Sequence, residues 1–164
     1  AIVETCGRFG DWEGDTIVGR HRQGGLVTLV ERKSGFARIG VVRQLRSQNV
    51  SRSLRRLAGA LPPGLRHTLT LDNGKEFAGH QGVASSTGLA IYFARPYHAW
   101  ERGRNENFNG LVRDYYPKGT DLSCIGAAEV QHVLHQLNDR PRQRHGYRTP
   151  REVLAQYFPV ATEM

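Results

Sequence analysis

The chain is predicted to form an α/β fold on three observations: three β-rich runs follow one another near its start, strand and helix alternate in its middle, and apolar residues recur at helical spacing through its second half. Together these give a mixed five-stranded sheet, its first three strands antiparallel, flanked by helices. A length of 164 residues fits one domain spanning 1–164, and a 38% hydrophobic composition is enough for a packed core at that length.

The runs WEGDTIVG (12–19) and GLVTLVERKSG (25–35) are separated by RHRQGG, and FARIGVV (36–42) follows the turn signal Lys33-Ser34-Gly35. This is a three-stranded antiparallel meander. From 47 to 60, Val50, Leu54, Leu57 and Ala58 recur at helical spacing, and Pro62-Pro63-Gly64 stops the helix. HTLTLD (67–72) is a short strand, 75–88 a helix weakened by two internal glycines, and AIYFA (90–94) the last strand. Beyond a loop holding Pro96 and Gly103, the segment 105–116 places Phe108, Leu111, Val112 and Tyr115 on one apolar helical face. A further helix over 127–138 turns Val130, Val133, Leu134 and Leu137 inward, and TPRE (149–152) has the capping-box signature of a short final helix. This order of elements is consistent with a ribonuclease H-like fold.

Lys and Arg outnumber Asp and Glu by 23 to 15, for a net charge of +8. Such a balance suits a polyanion, with nucleic acid first among candidates, and is also met in merely soluble basic proteins. Cys6 and Cys124 stand in no metal-ligand spacing and suggest neither zinc nor a disulfide framework, so a reducing cytosol is the expected compartment. No stretch has the length of apolar sequence that a membrane span needs. The chain starts with Ala in mid-phrase, and we expect it to be a fragment of a longer protein.

The acids carry the chemistry. Asp72 ends a strand before Asn73-Gly74, which projects its carboxylate from the carboxyl edge of the sheet, where open α/β sheets place ligands. The alternative is a plain turn in which Asp and Asn make local hydrogen bonds. Asp15 lies inside the first strand, where a period of two puts Glu13, Asp15 and Ile17 on one face and Trp12, Gly14 and Thr16 on the other. An acid there is costly unless it is paired, hydrogen-bonded or metal-bound; the alternative is an exposed edge strand. Asp11 and Glu13 are rivals nearer the strand's start, where solvation is expected to be easy. Around the 105–116 helix, Glu106 shares with Asn109, Gly110 and Arg113 a face roughly opposite the apolar one, while Glu101 and Asp114 are expected to be solvated bystanders. A solvated face is the alternative for Glu106 as well. One carboxylate from a central strand, one from a strand end and one from a later helix can converge on divalent cations, and such a site performs in-line phosphoryl displacement.

The phrases GDWEGDTIVG, LVTLVERKSGFARIG, TLDNGKEFAGH, YFARPYHAWERGRNENFNGLVRDYYPKGTDL and LNDRPRQRHGYRTPREVL, running from about residue 8 to 158, resemble the DDE transposases and retroviral-type integrases. The resemblance is greatest to the bacterial insertion-sequence-thirty family of transposases, whose second Asp and Glu have the same 33 residues between them as Asp72 and Glu106. It implies that Asp15, Asp72 and Glu106 ligate two Mg2+ or Mn2+ ions. It implies further that water cuts a phosphodiester at the element's end, and that the freed 3′-OH attacks target DNA at the same site. Arg113 matches the basic residue that faces the phosphates in this class, whereas Arg104 and Asp11 fall where other residues are usual. Also implied are an upstream helix-turn-helix region, action on DNA as a homodimer or higher oligomer, and a bacterial cytoplasmic setting. A ribonuclease H-like nuclease without strand transfer and a catalytically silent DNA-binding module are the competing functions.

Arg102, Arg104, Asn73 and Lys118 are further candidates for holding phosphate, and Asn105 and Asn109 for holding phosphate or water, against structural roles as turn and helix-edge amides. Tyr97, His98 and Trp100 beside Arg95, Arg102 and Arg104 mix rings and cations in the way that suits a distorted or single strand, as a loop over the site. RSLRRL with Arg43 and Arg46, and the connector RPRQRHGYR (140–148), are basic stretches that either grip a DNA backbone or stay hydrated. His132 and His135, at i and i+3 on a helix, offer a metal pair but no further ligands, and are expected to have surface or core roles.

Overall fold

A computed structural model describes residues 5–96, 98 and 102–159. Its sheet is built from β1 (Asp11–Val18), β2 (Gln23–Glu31), β3 (Ala37–Gln44), β4 (Thr68–Leu71) and β5 (Ala90–Phe93). The strand order is β3-β2-β1-β4-β5, antiparallel between β1, β2 and β3 and parallel from β1 to β4 and β4 to β5. The expected mixed five-stranded sheet is therefore present. The helices are α1 (Ser47–Gly59), α2 (His80–Thr87), α3 (Gly103–Tyr115), α4 (Ala127–Asn138) and α5 (Pro150–Ala155).

Two departures from the sequence expectation matter. The segment 75–88 is not one helix: a 3-10 turn at Lys75–Phe77 precedes α2. Its Gly79 lies so close to Ser51 of α1 that no side chain fits between them, so the chain bends where a continuous helix would collide. Helix α3 starts at Gly103, two residues earlier than its apolar pattern does, because its first turn answers to buried polar groups.

Alternation along the strands divides the core. Trp12, Val27, Leu29, Leu69 and Leu71 point to the face covered by α1, α2 and α5, while Ile17, Leu26, Val30 and Ile39 point to the face covered by α3 and α4. Asn138 at the end of α4 fastens that helix to β3, its amide bonding both the N–H and the carbonyl of Ala37 at 2.9 and 3.0 Å. The capping box at Thr149 and Glu152 is formed as expected.

Gly14 ties the packing to the site. A side chain there would meet Leu71 Cδ2 at 2.7 Å and Leu69 Cδ1 at 3.1 Å, so the bare backbone at 14 lets β4 press against β1. Gly14→Val is expected to cost about 1–3 kcal/mol through overpacking, seen as a lower urea midpoint with an unchanged slope.

Candidate active site

Parallel pairing sets Glu13 opposite Thr70, so two residues onward Asp15 stands level with Asp72, just past the end of β4, on the same face of the sheet. Both carboxylates approach one cation. Arg102 Nη1 lies 3.3 Å from Asp15 Oδ2 and 3.7 Å from Asp72 Oδ2. Asp72 Oδ1 accepts from Gly74 N at 2.8 Å, so the tight turn and the directed carboxylate occur together, one oxygen serving each. Asp15 Oδ1 accepts from Thr16 N at 2.8 Å and Oδ2 from Asn109 Nδ2 at 3.1 Å. Burial pushes the Asp15 carboxyl above its ordinary range, against the pull of Thr16 N and Arg102, and the charges of Asp72 and Glu76 push the same way.

Glu76 is the acid that sequence inspection passed over. Its Oε1 accepts from the Thr16 hydroxyl at 3.1 Å, brought there by the 3-10 turn that follows the Asp72 turn. Glu106 stands exposed in the first turn of α3, one turn before Asn109. No group of three His, Cys, Asp or Glu side chains converges on one point among the described residues. The structure thus pairs Asp15 with Asp72, while Glu106 is exposed in the first turn of the helix that Asn109 docks against Asp15. The donor set is all oxygen and already gathers a cation, which fits hard divalent ions.

The expectation that Asp11 and Glu13 are easily solvated is wrong, for both are fully buried. Asp11 is held by Arg8 at 2.9 Å and by the Thr68 hydroxyl at 2.7 Å. Glu13 Oε2 accepts from Asn105 N at 2.7 Å, and its Oε1 lies 3.5 Å from Arg32 Nε. β1 is the central strand, so even its first residues are covered. Asn105 is fully buried too, its Nδ2 donating to the Glu13 carbonyl at 2.9 Å. The Thr28 hydroxyl lies within 3.3 Å of the Asp15 carbonyl and of the Oδ1 atoms of Asn105 and Asn109, and its single proton serves one of them at a time. Asn105 and Asn109 therefore dock α3 onto β1 and β2.

The remaining candidates separate. Arg113 donates to the Val18 carbonyl at 3.0 Å and bonds the Tyr116 carbonyl at 3.4 Å, tying α3 to the end of β1. Asn73 Nδ2 donates to the Ala94 carbonyl at 3.2 Å and braces β4 against β5. Lys118 is exposed in the turn after α3, and Arg104 is exposed on the other flank of that helix from Asn109. His98 closes a turn on the Arg95 carbonyl, whereas Tyr97, Trp100 and Glu101 lie outside the described residues.

No family model matches the chain. It is 43% identical over 157 residues to a transposase for insertion sequence element IS4351 of Bacteroides fragilis, an alignment covering 94% of this chain and 47% of that protein. It is 41% identical over 146 residues to transposase InsI for insertion sequence element IS30A of Escherichia coli, covering 89% of this chain and 38% of that one. The chain spans less than half the length of these relatives. Among solved structures, the catalytic core domain of BIV integrase superposes with a TM-score of 0.66 at 20% identity, covering 91% of this chain and 95% of that one. A chain of the simian T-cell lymphotropic virus intasome gives 0.67 at 20% identity, covering 87% and 53%. The fold is that of the integrase catalytic core, ribonuclease H-like.

Proposed function

We propose that this chain, homologous through most of its length to insertion-sequence transposases of the IS30 type, is the catalytic core of such an enzyme and performs metal-dependent DNA strand cleavage and strand transfer. The observation that carries this reading is the pair Asp15 and Asp72, set level by parallel strands and aimed at one cation. Two bound Mg2+ or Mn2+ ions would supply the Lewis acidity that activates the attacking oxygen and neutralises the leaving one. Asp15 and Asp72 would hold them, with Glu106 as the third carboxylate. Asn109 fixes the rotamer of Asp15, and Gly74 N occupies one oxygen of Asp72 so that the other faces inward. With the ions held by those carboxylates, Arg102, which lies beside both of them, would be free to bind the phosphate. Arg113 holds the carboxyl edge of β1 beneath α3, and Lys118 lies beyond it for the DNA backbone. Assembly as a homodimer or higher oligomer on DNA, and recognition of the element's ends by sequence outside this chain, complete the proposal. Among the described residues no helix is long and apolar enough to cross a membrane.

Nicking and joining of a supercoiled plasmid in Mg2+ or Mn2+ test it. Glu106→Gln is expected to lower nicking by about 100-fold or more, the loss of several kcal/mol of metal-centred stabilisation. Glu76, already engaged by Thr16, is expected to tolerate Gln within about tenfold, that is about 1.4 kcal/mol. The reverse ranking would make Glu76 the third ligand. Nicks without joined products would reduce the activity to that of a nuclease, and neither product from the unsubstituted chain would sink the reading of a self-sufficient core.

A further inference from the structure

On the flank of α3 turned away from Asn109 and Asp15 lies a groove of about 300 Å³ between that helix, the β2–β3 turn and the connector that follows α4. Its polar lining is Arg104 and Asn107 from α3, and Arg142, Gln143 and Arg144 from the connector. Positions 104, 107, 108 and 111 share this side of the helix, while Asn105 and Asn109 face the acids. The groove and the acid pair are thus separated by the width of one helix.

The groove is held in shape by local bonds. His145 bonds the Ser34 carbonyl at 2.8 Å and Arg142 Nη2 donates to the Leu137 carbonyl at 3.0 Å, which fixes the connector at both sides of Arg144. The Arg144 guanidinium lies over Gly35, where the left-handed backbone and the missing side chain leave it room. Its positive charge is not neutralised. The guanidinium groups of Arg104 and Arg144 make no hydrogen bond or ion pair among the described residues. The acids whose charge reaches these guanidiniums are buried and engaged: Glu31 accepts from Ser34 N, Ser34 Oγ and Gly10 N, and Glu13 from Asn105 N beside Arg32. Burial, with the like charges of Arg104 and Arg142, brings Arg144 down to about 10, still cationic at neutral pH. Two unpaired guanidiniums converging on a polar groove set out a bidentate fork for an oxyanion.

We infer that this groove seats a backbone phosphate of DNA other than the one reacting at the acids, so that the bound strand crosses the N-terminal turn of α3 from one flank to the other. The inference rests on the proposed function, which supplies DNA as the polyanion.

Its test is the affinity of the 164-residue chain for a fluorescein-labelled duplex, measured by anisotropy in EDTA over a range of NaCl. The Arg104→Gln/Arg144→Gln double variant is expected to bind about tenfold more weakly near 0.1 M salt, with the slope of log K against log salt reduced by about 1, as for one lost phosphate contact. The lysine pair Arg104→Lys/Arg144→Lys should keep most of the slope. Arg52→Gln/Arg55→Gln on α1, across the sheet, removes the same charge and is expected to weaken binding and lower the slope less than the groove pair does. Thermal midpoints of all variants establish that they fold. Equal weakening by both Gln pairs would reduce the effect to diffuse charge and overturn the inference, as would unchanged binding by the groove variant. A groove built for a free anion would instead give a thermal midpoint raised by inorganic phosphate and lost in the variant, with DNA affinity intact. An unsubstituted chain that neither binds nor cuts DNA would overturn the proposed function and this inference with it; one that cuts normally while the groove variant binds normally would overturn this inference alone.

Discussion

Replacing Asp15 by Asn is expected to abolish divalent-cation binding and to lower strand cleavage by about 1,000-fold, near 4 kcal/mol, while leaving the fold as stable as before or slightly more so. The side chain is 19% exposed, has its pKa pushed up by burial and by the charges of Asp72 and Glu76, and has Arg102 as its ion-pair partner. Its folded pKa lies above the ordinary value, so ionising it costs folding free energy: the cost is absent well below that ordinary value and complete above the raised folded one. Asparagine removes the cost at neutral pH and forfeits the Arg102 pair, whose partial exposure limits it to under about 1 kcal/mol. The metal separates these effects from activity. A saturating cation that binds only the folded chain stabilises it by about 2.7 kcal/mol at 100 times its dissociation constant. In the unsubstituted chain, Mn2+ should therefore raise the thermal midpoint, and this rise should fade as pH falls through the elevated Asp15 pKa, at a higher pH than an ordinary aspartate would give. In Asp15→Asn the rise should be missing at every pH. A Mn2+-induced shift that survived the substitution would remove Asp15 from the proposed metal site.

The meander, the β-α-β unit and both long helical stripes are legible in the sequence because each is a local pattern: a period of two, a period of 3.6, a turn residue in its place. The pairing of Asp15 with Asp72 is legible only in outline. It depends on β1 lying parallel to β4 in one register, which local pattern does not encode. The burial of Asp11 and Glu13 is hidden for the same reason, since position near a strand's start suggests easy solvation while their burial follows from that strand being central. Glu76 escaped because a continuous helix over 75–88 would aim it elsewhere, and the 3-10 turn brings it to Thr16. Arg102 and Arg104, two residues apart in a basic stretch, part company at the start of α3: one reaches the acids and the other lines the opposite groove. Asn105 looks like a helix-edge amide by spacing alone, and only its contacts with Glu13 and Thr28 reveal it as the post on which α3 stands.

The buried pair beneath that post carries the second large effect. Arg32→Met is expected to destabilise the chain by about 3 kcal/mol near neutral pH, because it keeps most of the side-chain volume and strands the Glu13 carboxylate. Glu13 is already pushed up by burial and is pulled back by Asn105 N, Arg32 and Arg104. Without Arg32 its folded pKa climbs further above the unfolded one, so the penalty is largest where Glu13 must ionise and shrinks as pH falls toward the unfolded value. Urea midpoints at about pH 8 and pH 5 should therefore show a smaller gap between variant and parent at the lower pH. Glu13→Gln in the Arg32→Met background should restore much of the loss at the higher pH, the amide oxygen still accepting from Asn105 N. An equal loss at both pH values, with no rescue by Gln, would place the role of Arg32 in its packing and other contacts. Because Glu13 lies two residues before Asp15 on the same face and anchors the turn of α3 that bears Glu106, the Arg32→Met variant should also lose plasmid nicking, and the rescuing Gln should return it in step with stability.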